Sequence, residues 1–207
     1  MRTARFGIAA CCGVALASFA VSADAQTPGQ NSRTFQVERF EPMPAQGANV
    51  LNVATSEVVP HDNFTTGVFF HFVGDPLVQR DVDGEITTRL LENQLKAELW
   101  FGLGIQDFLD VSLILPTVLW QSGEDLTAFD GADEVSAASL GDMRLVPKFR
   151  LLDPETASGI GLALIPTVIV PTGGHSSFNS DGTLRFEPRI ALDWRHEYGV
   201  VVAANLA

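Results

Sequence analysis

The chain has 207 residues, of which 46% are hydrophobic and 18% charged, and its formal net charge is −12. This apolar composition excludes an intrinsically disordered chain, and the length favours one domain or at most two. The negative charge argues against nucleic-acid binding, because neutralising phosphates requires a basic face.

The first residues predict an export signal. Arg2 and Arg5 precede an apolar run from Phe6 to Val21, and Ala23 to Ala25 supplies the small residues of a cleavage site. The apolar run is too short for a membrane-spanning helix and has the flanks of a secretory signal. We therefore predict a signal peptide over residues 1–25.

The two cysteines of the chain, Cys11 and Cys12, fall inside this predicted signal. Lipoprotein cleavage at Cys11 is the less favoured alternative, because it leaves an apolar core of only a few residues. The exported chain is therefore expected to contain no disulfide.

Residues 26–60 predict an irregular segment. Pro42, Pro44, Gly47 and Pro60 interrupt any regular element. Because this segment precedes the first predicted strand, we expect it to lie in the periplasm as an N-terminal extension.

From residue 61 onwards, apolar and polar side chains alternate in a series of strand-like segments. The predicted strands are Phe64–Val73, Thr88–Ile105, Asp110–Trp120, Gly141–Leu152, Gly159–Pro171, Arg185–Arg195 and one that begins at Gly199. The connections alternate between long and short, and the long ones are predicted at Gly74–Thr87, Gln121–Leu140 and Thr172–Leu184. No segment after the predicted signal has the 3.6-residue period of an amphipathic helix.

This pattern predicts an all-β fold, an antiparallel up-and-down transmembrane β-barrel over residues 61–207, with at least seven strands and truncated at its C-terminus. Strands of about ten to fifteen residues exceed the usual five or six and match the length needed to cross a bilayer. Short turns are expected on the periplasmic side. Apolar side chains are expected to face lipid, so a charge at Leu113 should be costly and a charge at the inward Ser112 tolerated.

Charged side chains occupy the opposite positions of the same strands and are predicted to face the lumen. They are Glu92, Lys96, Glu98, Asp142, Arg144, Lys148, Arg150, Arg185, Glu187, Arg189, Asp193 and Arg195. They could line an open pore and tune ion selectivity, or they could pair with one another and fill a narrow interior. The strand number decides between these alternatives, because about eight strands are filled by side chains and sixteen leave a channel.

The aromatic side chains Trp100, Trp120, Trp194 and Tyr198 lie near strand ends, which predicts membrane-interface girdles. The acidic loop residues Glu124, Asp125, Asp130, Asp133 and Glu134 have no defined ligand spacing and are expected to be solvated. The four histidines, His61, His71, His175 and His196, lack zinc-ligand spacing. No catalytic constellation is present in the sequence pattern, so we predict no enzyme activity, no cofactor and no metal.

Several stretches resemble bacterial outer-membrane barrels. Gly102 to Pro116 (GLGIQDFLDVSLILP) is similar to a strand–turn–strand of porin-like proteins. The stretches FQVERFEP, HDNFTTGVFFHFVGDPLVQRDVDGE and GDMRLVPKFRLL resemble the N-terminal barrel of large OmpA-family proteins. The resemblance implies a barrel that anchors a separate peptidoglycan-binding domain. Because no such domain is recognised in these 207 residues, the chain is interpreted as a fragment, and contact with peptidoglycan is expected only through a domain outside it.

We therefore expect an outer-membrane protein with lipid and lipopolysaccharide as its partners. Its predicted role is structural anchoring, together with a passive pore if the lumen is open. Two alternatives stay open: a porin-like channel for small solutes, and a soluble secreted β-sandwich that acts as a binding module.

Overall fold

The computed structural model describes residues 35–37, 40–44, 47–123, 137–174 and 178–207. The predicted signal peptide, the acidic side chains between 124 and 134, and His175 lie outside these residues. Within the described ranges, no helix has the length and apolar character needed to cross a membrane.

The described strands form one antiparallel sheet. They are β1 (Phe64–Arg80), β2 (Ile86–Gln106), β3 (Leu109–Ser122), β4 (Ser139–Leu140), β5 (Met143–Leu152), β6 (Ile160–Val170), β7 (Arg185–Arg195) and β8 (Val201–Leu206). Their order is β1-β2-β3-β5-β6-β7-β8, and the two-residue β4 pairs only with β3. The predicted all-β up-and-down fold is confirmed, and the sheet curls into a half-barrel. The β-sandwich alternative is wrong, because the described strands lie in a single sheet and not in two packed layers.

The first hairpin is longer than the sequence pattern predicted. β1 and β2 continue through most of the expected loop Gly74–Thr87, and only residues 81–85 form the turn. A register shift between Gly74 and Leu77 absorbs Asp75, which has a φ of 50°. Asp81 closes the turn, because its Oδ1 accepts the N–H groups of Asp83 and Glu85, each at 2.9 Å. The first connection is therefore short, and the alternation of long and short connections holds only for the later ones.

The two faces of the sheet differ in the way the alternation predicts. On the outer face of β1, Phe70 and Phe72 are 59% and 61% exposed, and Leu99 and Phe101 continue this apolar surface on β2. The inner positions of the same strands are partly or fully buried. Because successive side chains of a strand point to opposite faces, most of the outward side chains of the sheet are apolar.

An apolar cluster that the sequence pattern did not predict joins the inner face of the sheet to Met43 and Ala54 of the segment before β1. It comprises Met43, Ala54, Ile114, Val146, Ala163, Ile165 and Ala191, with Trp100 packed against it. The indole of Trp100 lies over Gly67 and occupies the space that a Cβ would need there. The prediction that Trp100 belongs to an interface girdle is therefore wrong, whereas Trp120 and Trp194 are exposed on the outer face.

Residues 40–44 and 47–60, which we name the strap, run across the concave inner face of the sheet. The strap begins beside β1, where Phe40 packs against Phe69 and His71 with ring centroids 6.0 and 5.8 Å apart. It ends beside Gly104 of β2, near the short turn that leads to β3. The strap therefore lies against the sheet, where polar side chains of the inner face bind its backbone.

Candidate functional site

The second half of the strap is held by side chains from four strands. Asn205 of β8 makes two hydrogen bonds to the backbone of Ala54, each of 2.8 Å. Next along the strap, the N–H of Ser56 donates to Asp193 of β7 at 2.5 Å. This part of the strap therefore has its backbone groups satisfied by inner-face side chains, as buried peptide groups require.

The same attachment continues towards β3. Lys148 of β5 donates to the carbonyl of Glu57 at 2.8 Å, and Arg195 pairs with the carboxylate of Glu57 at 3.0 Å. The N–H of Val59 then donates to Asp110 of β3 at 2.8 Å. Lys148 and Asp110 are each 1% exposed, so these charges are enclosed between the sheet and the strap.

The first half of the strap is held by ion pairs. Glu41 lies 3.4 Å from Arg144 of β5 and 3.4 Å from Arg185 of β7. Arg144 also pairs with Glu98 of β2, so this cluster connects three strands and the strap. Arg189 donates to the carbonyl of Asn52 at 2.9 Å and adds a further attachment.

Two glycines of the inner face allow the strap to approach the sheet closely. At Gly104 an added Cβ would meet the carbonyl groups of Val59 and Pro60, and at Gly161 it would meet Ser56 and the carboxylate of Asp193. Glycine weakens a strand interior, and close approach of another backbone is a usual reason for its presence there. The sheet is therefore shaped to hold the strap.

The end of the sheet that carries the long loops is closed by a second set of contacts. Phe178, from the loop between β6 and β7, is fully buried against Leu91 and meets Phe35 edge to face at 5.2 Å. Below it, Gln94 donates to Gln121 at 2.8 Å and to Asn179 at 3.2 Å. We name this end the capped mouth.

The twelve residues predicted to face the lumen occupy different positions. Six bind or adjoin the strap directly: Arg144, Lys148, Arg185, Arg189, Asp193 and Arg195. Lys96 and Glu98 are buried on the inner face of β2, and Glu187 lies 3.6 Å from Arg185. The structure thus brings nine of the twelve together along the interior.

The other three lie at its ends. Asp142 is buried at the capped mouth, where it accepts the N–H groups of Gly173 and Asp181, each at 3.1 Å. Arg150 lies at the short-turn end and pairs with Asp153 at 3.1 Å. Glu92 is exposed and does not line the interior. The pairing of β1 with β2 is irregular at this point, and the neighbouring Leu91 is the buried residue.

Sequence reasoning predicted Glu98, Glu187 and Asp193 but missed three further acidic partners of this interior, Asp110, Glu41 and Glu57. Asp110 follows the alternation of β3 and could have been found from it. Glu41 and Glu57 could not, because the irregular segment that carries them has no period from which a facing direction follows.

A cavity of about 660 Å³ remains at the short-turn end. Its lining includes Glu57, Arg150, Trp194, Arg195 and His196. In the described part of the chain, no three His, Cys, Asp or Glu side chains are grouped so that they could hold a metal ion.

A curled antiparallel sheet with an apolar outer face and a charged, filled inner face is the architecture of an outer-membrane-type β-barrel protein. The family model described as "Putative MetA-pathway of phenol degradation" matches residues 58–207. The chain belongs to this family, which is of the outer-membrane β-barrel type. A search of curated proteins found no match, and neither did a search of solved structures.

Proposed function

We propose that the protein is embedded in the bacterial outer membrane and forms a porin-like passage for small solutes whose lumen is occupied by the strap. The observation that carries this proposal is the continuous apolar outer face of the sheet, on which Phe70, Phe72 and Phe101 are each half-exposed or more. Soluble monomers rarely expose apolar patches larger than a few hundred Å², whereas lipid covers such a surface.

The same proposal includes export by a cleaved signal peptide, contact with lipid and lipopolysaccharide, and a relationship to the OmpA family. The strands β1 and β8 each pair on one side only within the described residues. Because a bilayer offers no water to unpaired backbone groups, both edges must be paired in the membrane. The proposed role is passage and anchoring, without catalysis.

The family description supplies a candidate solute class. Its printed words name phenol degradation, and we propose that small phenol-related compounds are among the solutes. Passage of phenol is measured by its uptake into liposomes that contain the protein, compared with its uptake into liposomes that lack the protein. Equal uptake by both would remove phenol from the candidate solutes.

The test of the passage itself uses full-length protein purified from outer membranes in detergent. A closed barrel should migrate faster on a denaturing gel before boiling than after it, and it should give small, infrequent conductance steps in a planar bilayer because the strap fills the lumen. A protein that stays in solution without detergent and migrates equally before and after boiling contradicts the membrane assignment. A heat-modifiable barrel without conductance steps, in the native form and in strap variants, leaves anchoring as its only role.

A further inference from the structure

The inner wall of the sheet carries more basic than acidic side chains. The described inner-face charges of the strands are seven basic residues, Lys96, Arg144, Lys148, Arg150, Arg185, Arg189 and Arg195, and four acidic residues, Glu98, Asp110, Glu187 and Asp193, to which the buried Asp142, next to β5, adds a fifth acidic residue. The wall therefore has an excess of two positive charges, although the whole chain has a net charge of −12. The sign of the interior is opposite to the sign of the molecule.

The strap has the complementary sign. Its described residues include two acidic side chains, Glu41 and Glu57, and no lysine or arginine. Both carboxylates bind guanidinium groups of the wall, Glu41 those of Arg144 and Arg185 and Glu57 that of Arg195. The two strap carboxylates therefore balance the positive excess, at arginines that also pair with Glu98, Asp181 and Asp193 outside the strap.

The strap is attached by polar bonds as well as by the apolar contacts of Phe40, Met43 and Ala54. Its backbone bonds to Asp193, Asp110 and Asn205 and its three ion pairs are all interactions that water and small ions can replace. The ion pairs also weaken as salt rises. A carboxylate that pairs with an arginine occupies the same position that a solute anion would take.

We infer that the strap is an acidic plug in a cationic passage, and that its displacement opens the lumen to small anions, inorganic or carboxylate. This inference rests on the proposed passage function and adds the charge of the solute. Among phenol-related compounds it favours aromatic carboxylates over neutral phenol. The arginines released by Glu41 and Glu57 attract the anion, since rings of arginine and lysine select anions in other pores.

The first test displaces the strap sterically. Gly104→Val places a side chain against the carbonyl groups of Val59 and Pro60, and Gly161→Val places one against Ser56. Each variant should give larger or more frequent conductance steps than the native protein, with a reversal potential in a KCl gradient shifted towards the chloride equilibrium value. Gly74→Val is the matched control, because a Cβ at Gly74 meets no atom within 4 Å.

The second test removes the plug charges without changing their shape. Glu41→Gln and Glu57→Gln, alone and together, should lower the permeability ratio of potassium to chloride and increase benzoate uptake into liposomes relative to phenol uptake. Glu85→Gln, at the exposed turn of the first hairpin, should change neither quantity. Every variant is first checked for heat-modifiable migration, so that a misfolded protein is recognised.

The outcomes separate this inference from the proposed function. If neither the native protein nor any folded variant conducts, the passage itself is refuted. If all of them conduct with the same step size and selectivity, or if strap variants prefer potassium, the passage stands and the acidic plug is refuted.

Discussion

Arg144 lies where two segments of the chain meet. Its guanidinium pairs with Glu98 across the sheet and with Glu41 of the strap, and the side chains of Arg144 and Glu98 are each 5% exposed. An ion removed from water in this way is stable only while its partner remains, because the desolvation cost of each charge is offset by the other. The stability of the interior thus depends on the presence of both members of each buried ion pair.

We therefore expect Arg144→Met to lower the free energy of unfolding by about 3–5 kcal/mol, since it leaves Glu98 buried without its main counter-charge. The double variant with Glu98→Gln should recover much of this loss. Urea unfolding of the detergent-solubilised protein, followed by tryptophan fluorescence, measures both effects.

The control for this prediction is the exposed ion pair of the first hairpin. Arg89 and Asp75 lie 3.0 Å apart, but their side chains are 44% and 47% exposed. Arg89→Met should therefore cost no more than about 1 kcal/mol. Equal losses of unfolding free energy in Arg89→Met and Arg144→Met would show that the interior charges are solvated.

At the scale of elements, the sheet is joined to two segments that are not strands. The strap crosses the concave face, and the loop between β6 and β7 places Phe178 into the capped mouth, where Leu91 and Phe35 enclose it. Each segment covers inner-face residues that the strands alone would leave in contact with water.

Phe178→Ala should destabilise the capped mouth by about 3–5 kcal/mol, because it empties a fully buried aromatic site. The expected readout is faster proteolytic cleavage in the loop between β6 and β7, while heat-modifiable migration is retained. Phe108→Ala is the control, since Phe108 lies in the turn between β2 and β3 and is 53% exposed. Unchanged cleavage in Phe178→Ala would contradict the capped mouth.

The sequence alone predicted the strands and their two faces, because alternation with a period of two is a local property of the chain. It could not predict the strap, since the direction of an irregular segment depends on partners as remote as Asn205. Ser112 is 1% exposed in a filled interior, so the structure leads us to expect a cost for a charge there, which the alternation of the strand did not indicate. The prediction for Trp100 was wrong because its sequence position near a strand end does not show that Gly67, on the neighbouring strand, leaves space for the indole ring.

At the scale of the whole molecule, the polarity of the sheet is inverted relative to a soluble barrel. The exposed outer face is apolar, and the charged side chains lie inside. The cost of a substitution is therefore expected to depend on the face of the sheet that carries it and on its depth in the membrane.

Leu113 lies on the outer face of β3 between Phe101 and Leu145 of the neighbouring strands. Leu113→Arg should cost about 2–4 kcal/mol in lipid, because a charge near the middle of the membrane is poorly solvated. Val82→Arg, at the tip of the first hairpin, should cost almost nothing, since Val82 is fully exposed. Unfolding in lipid vesicles measures both, and equal costs would contradict the assigned membrane depth.

The two hydrogen bonds between Ala54 and Asn205 join positions 151 residues apart in the chain. Contacts between such distant positions form slowly, because a long loop must close before they can contribute. We therefore expect the bonds between the strap and Asn205 to form late in assembly, after β7 and β8 have joined the sheet. On this expectation the sheet closes around the strap, and the strap is not inserted into a finished barrel.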